Sequence, residues 1–139
     1  MRPLPPDTPE AMARIVALFV VSDARVDAEE IDTLQQIGAF ERLGITRERF
    51  LAVAGQFSLD LGGPYGWMRL ADLQMVDRLL AEVSDPAMRL RVARLAAAVI
   101  TANGRIDESE RVVFDHMLHR WGLTRRRVAQ AIREDRVPA

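Results

Sequence analysis

Apolar and polar positions recur along this chain with the period of a helix, and no segment alternates as a half-buried strand would. Thr8-Pro9 predicts a first helix start, with proline at the first helical position and Glu10 in the first turn, and the apolar pattern carries it to about Ser22. A second helix is expected after Asp27, with Ile31, Leu34, Ile37 and Phe40 on one side. "LGIT" (Leu43–Thr46) ends it: Gly44 supplies a left-handed stop and Thr46 a cap for a third helix bearing Phe50, Leu51, Val53 and Ala54. "SLDLGGPYGW" (Ser58–Trp67) interrupts the pattern with glycines and a proline, and predicts an irregular crossover.

The pattern resumes with a fourth helix over 68–83. "SDPA" (Ser84–Ala87) then caps a fifth helix that begins at Pro86. There Val92, Leu95, Ala96, Val99 and Ile100 form one apolar stripe. A sixth helix follows Asp107, with Val113, Phe114, Met117, Leu118 and Trp121 on its inner face. "WGLT" (Trp121–Thr124) repeats the glycine stop and threonine cap before a seventh that runs to about Glu134.

The chain also repeats itself. "ARIVALFVVSDARVDAEE" (Ala13–Glu30) lies over "ARLAAAVITANGRIDESE" (Ala93–Glu110), so that Asp23 meets Asn103, Arg25 meets Arg105, Asp27 meets Asp107 and Glu30 meets Glu110. "LGIT" answers "WGLT" once two residues are skipped. The expected architecture is an all-α compact bundle of about seven helices built from two pseudo-repeated helix–loop–helix units, because two repeats are too few for a solenoid. It is expected as a single domain over 1–139, with a flexible lead at 1–7 and a frayed tail at 135–139.

Composition narrows the chemistry. With 139 residues, 49% apolar and 28% charged, the chain has enough apolar material for one core. A formal net charge of -1 gives no global field to attract nucleic acid, and none is expected as a partner. All 19 basic residues are arginine, so arginine clusters carry little meaning here. The absence of cysteine removes disulfides, thiolate metal sites and cysteine nucleophiles. The start, "MRPLPPDTPE", lacks the basic-then-apolar order of a signal peptide, and "IVALFVV" (Ile15–Val21) falls far short of the roughly 20 residues that cross a bilayer. A soluble protein without direct membrane insertion is expected.

The doubled bend, "DARVDAEE" in one half and "NGRIDESE" in the other, each between apolar helices, resembles the TerB-like family over about Pro9 to Ile132. That family includes tellurite-resistance TerB proteins and the N-terminal domain of a membrane-attached DnaJ co-chaperone. The resemblance implies a cytoplasmic, non-enzymatic helical protein of a tellurite-resistance or stress-response system. It also implies protein partners, some membrane-associated, and metal binding by acidic residues in the bends. Ala24 departs from the glycine usual in the family at that point.

Two chemistries suit the bends. In the first, Asp27 and Asp107 cap the following helices, Glu30 and Glu110 close capping boxes, and each cap stabilises by roughly 0.5–2 kcal/mol. In the second, Asp23, Asp27 and Glu30 with Asn103, Asp107 and Glu110 offer oxygen ligands for a divalent cation, Ca2+ or Mg2+. The bends are not EF-hands, since Arg25 and Arg105 stand where an oxygen is needed.

Elsewhere, His116 and His119 are expected as a solvated pair at the edge of the sixth helix's stripe. "TRRRVAQAIRED" (Thr124–Asp135) is expected as a solvated basic face, and Tyr65 and Trp67 as core plugs. Ser22 and Ser109 have no histidine at motif spacing, so no catalytic triad is expected. The function expected is a non-enzymatic TerB-like module acting through protein partners, with a divalent cation at the acidic bends. The alternative is a structural, co-chaperone-type interaction domain in which the bends are only caps.

Overall fold

A computed structural model describes residues 4–22, 25–26, 28–60, 73–102 and 108–136. Among the described residues there are eight helices: α1 (Pro9–Ala17), α2 (Ala28–Gln36), α3 (Ala39–Leu43), α4 (Arg47–Asp60), α5 (Leu73–Leu80), α6 (Pro86–Ala102), α7 (Glu108–Trp121) and α8 (Arg125–Arg136). The helical architecture is as the periodicity predicts.

α1 is the centre of the molecule. Every residue from Ala11 to Val20 is buried, and the helix packs against α3, α4, α5 and α6. A helix apolar on all sides must be enclosed on all sides. Thr8 caps it in extended conformation, its side chain accepting from Ala11 N at 3.2 Å. Phe19 meets Phe114 of α7 edge-to-face at 6.2 Å, joining the two halves through aromatic contact.

One charge lies inside this apolar centre. Arg14 is only 5% exposed and pairs with Glu82 after α5; Glu82 also accepts from Leu4 N at 2.8 Å. A buried guanidinium needs such a partner, because an uncompensated charge away from water is costly.

Three departures from the periodic pattern have local causes. α1 stops at Ala17 instead of continuing to Ser22. Leu18, Phe19 and Val20 make tight bonds to the carbonyls three residues earlier, and the chain then forms a two-residue antiparallel ladder, β1 (Val21–Ser22) with β2 (Arg25–Val26), pairing Val21 with Val26. The Phe-Val-Val run favours extended backbone over further helix. The second predicted helix is split, because Gly38 adopts φ 71° between α2 and α3. The lead is tethered: Asp7 N donates to Glu82 O at 2.8 Å, and the Asp7 carboxylate accepts from Ser84 N at 2.6 Å, Ser84 Oγ at 2.7 Å and Asp85 N at 3.2 Å. These bonds, the Ser84 hydroxyl first, hold the Asp7 carboxyl below its ordinary range.

The two glycine–threonine turns match closely. Gly44 (φ 74°) and Gly122 (φ 68°) both stop a helix in the left-handed region, where a side chain is strained. The next residue closes each turn backward, Ile45 N to Phe40 O at 3.0 Å and Leu123 N to Leu118 O at 2.8 Å. Thr46 and Thr124 then cap α4 and α8, accepting from Arg49 N at 3.1 Å and Arg127 N at 3.0 Å. Asp85 does the same for α6, accepting from Ala87 N at 2.8 Å.

Candidate binding groove

α8 packs along α6, held by buried Val128 and Ala131, while α7 packs on the same helix beside it. Between α7 and α8, with α6 as its floor, lies a groove of about 460 Å3. α6 contributes Ala97, Ile100 and Thr101; α7 contributes Arg111 and Phe114; α8 contributes Arg125, Val128, Ala129 and Ile132. The volume falls in the range of natural ligand sites, and the mix of apolar walls with few polar groups is what such sites use.

The groove exists because its walls are small where they could have been large. Ala97 and Ala129 present only methyl groups. Thr101 turns its hydroxyl back to Ala97 O at 2.7 Å, which satisfies the donor within the helix. Two guanidinium groups complete the lining. Arg125 grips Asp115 of α7 through two bonds, Nε to Oδ1 at 2.8 Å and Nη2 to Oδ2 at 2.6 Å. Arg111 is exposed and makes no ion pair with any described residue. An apolar trough edged by arginine suits binding of an anionic, partly apolar surface.

The acidic bends stand differently. Asp23, Asp27, Asn103 and Asp107 lie outside the described residues, as do Tyr65 and Trp67. Glu30 falls in α2 and Glu110 in α7, with their side chains outside the description. Among the described residues no group of three His, Asp or Glu side chains is placed to hold a metal ion.

The expected solvated histidine pair divides. His119 is exposed, but His116 is half-buried, with Nε2 2.6 Å from Asp77 Oδ1 of α5, and Arg120 Nε reaches the same oxygen at 3.3 Å. Asp77 is far away in sequence, so spacing on α7 alone could not reveal it. The basic run also divides: Arg126 is exposed, whereas Arg125 is engaged with Asp115 and lines the groove.

Sequence periodicity places Phe114 on the inner stripe of its helix and marks no apolar face on α8, where Val128 is buried and Ile132 half-buried. No described helix is long and apolar enough to cross a membrane. Comparison with protein-family models, with curated proteins and with solved structures returns no match.

Proposed function

We propose that this chain is a non-enzymatic, TerB-like binding module of a stress-response or tellurite-resistance system, and that the groove between α6, α7 and α8 is where it docks protein partners. The observation that carries this is the apolar trough walled by Phe114, Val128 and Ile132 and edged by Arg111 and Arg125. The pseudo-repeat belongs to the same proposal. It is supported by the matched turns at Gly44 and Gly122 and by matched braces across them: Arg47 reaches back to Gln35 and Asp32, and Arg125 reaches back to Asp115.

The anionic dye 1-anilinonaphthalene-8-sulfonate tests the groove. Saturable binding to the folded chain is expected, and Ala129→Trp, at an exposed position of the lining, should abolish it with the melting temperature unchanged. Dye binding that is absent in the parent chain, or indifferent to Ala129→Trp, would remove the groove as the working surface.

The co-chaperone-type alternative, with bends serving only as caps, is favoured by one observation. Thr8, Asp85, Thr46 and Thr124 each close a helix start with their own side-chain oxygen, the role that capping assigns to Asp27 and Asp107. Calorimetric titration with Ca2+ and Mg2+ separates the two. Heat that disappears in Asp107→Asn supports a cation site, and no heat at millimolar metal supports caps alone.

A further inference from the structure

The groove's dimensions and charge identify the kind of partner it fits, if it is a docking surface as proposed above. We infer that its occupant is an amphipathic helix of a partner protein, carrying acidic residues beside its apolar stripe. α7 and α8 are joined by the short Gly122–Thr124 turn, yet α8 lies along α6 instead of closing on α7, which leaves a trough bounded by helices on three sides. The lining of α8 runs from Arg125 to Ile132, about 10 Å at 1.5 Å per residue. That is the span of anchors at i, i+4 and i+7 on a helix laid into a groove. Ala97 and Ala129 permit close approach of its backbone, while Ile100, Phe114, Val128 and Ile132 offer apolar contact.

Charge selects the acidic partner. Arg111 stands on the α7 wall with no pair among the described residues, and Arg125 stands on the α8 wall. The Arg125–Asp115 pair is exposed on both sides, 63% and 46%, so it contributes little in water and Arg125 can exchange Asp115 for an incoming carboxylate. Among the described residues that line it, the charged ones are Arg111 and Arg125.

The first half of the chain explains why the space is vacant. Counting from the matched glycine–threonine turns, Phe50 of α4 corresponds to Val128, and the repeat sets Ile31 against Arg111. Phe50 and Ile31 are fully buried there. At these two positions the first half buries a phenylalanine and an isoleucine, whereas the second half has a smaller buried valine and an exposed arginine.

The test is fluorescence anisotropy with two labelled helical peptides, one with leucines at i, i+4 and i+7 flanked by glutamates, the other with lysines in place of the glutamates. The glutamate peptide should bind saturably and at least about tenfold more tightly than the lysine peptide, the scale of one well-placed charge contact. Arg111→Glu should erase or reverse that preference with helicity unchanged by circular dichroism, and Ala129→Trp should abolish binding of both. Equal binding of the two peptides, unmoved by Arg111→Glu, overturns the acidic partner and leaves an apolar docking groove. Dye binding without binding of either peptide overturns the helical occupant. A dimer in sedimentation that Ala129→Trp dissociates would overturn it too, by assigning the groove to a second copy. If the dye itself fails to bind, the docking proposal falls first.

Discussion

α4 and α8 begin with the same turn and cap, and they are put to different uses. α4 lies against the central α1 and buries Phe50, Val53, Ala54 and Phe57; Phe40 packs on Phe50 at 5.3 Å. α8 lies against α6 and, among its described side chains, buries Val128 and Ala131. Identical local chemistry at a helix start therefore decides where a helix begins and not how tightly it is held. Side-chain volume four residues later decides that. α4 brings aromatic bulk into the core, and α8, with a valine in the corresponding place, borders a trough.

Mutations can break this contrast or sharpen it. The largest effect is expected at Phe50→Ala, about 3–5 kcal/mol of stability in urea unfolding, against roughly 1–2 kcal/mol for Val128→Ala. Equal costs would mean that α8 is as tightly packed as α4. Glu82→Gln should follow, at about 3 kcal/mol, since it removes the charge that compensates the buried Arg14 guanidinium. Adding Arg14→Met to Glu82→Gln should recover part of the loss; a double variant no more stable than the single would show that the cost lies elsewhere.

The matched turns should respond alike. Gly44→Ala and Gly122→Ala are each expected to cost about 1–2 kcal/mol, because both positions are left-handed and neither added methyl meets a close neighbour. Thr46→Ala and Thr124→Ala should each cost about 1 kcal/mol or less through the lost cap. A turn in one half that tolerates both changes would end its equivalence with the other.

The smallest effect is expected at Asp7. Its carboxyl is held below the ordinary range by Ser84, so it stabilises the fold above that range, and the contribution fades as pH falls through the lowered value. The difference in melting temperature between the parent chain and Asp7→Asn should be present at neutral pH and close in strong acid. A difference that persists unchanged there would exclude the carboxylate as its source.

Helix starts and stops were readable residue by residue. Pro9, Pro86, Gly44, Gly122, Thr8, Thr46 and Thr124 act through their own backbone preferences or through bonds to residues within three or four positions, so their effects lie on the surface of the sequence. The ladder at Val21–Val26 was not readable, because two residues per strand cannot establish a period. Nor was the groove. Its lining is assembled from three helices, and the space left between them depends on volumes summed across elements. The His116–Asp77 and Arg14–Glu82 pairs were hidden for a related reason: each joins residues tens of positions apart.

The tether at the front of the chain bears on how the protein is made. Leu4 and Asp7 bond to residues 77 and 78 positions later, and α1, just behind them, needs neighbours as distant as α6 to cover it. During synthesis this apolar helix therefore leaves the ribosome ahead of the helices that cover it and waits for them, a delay that loop-closure entropy does nothing to shorten. Nascent chains halted before residue 82 should consequently recruit holding chaperones far more strongly than chains halted after α6 has emerged.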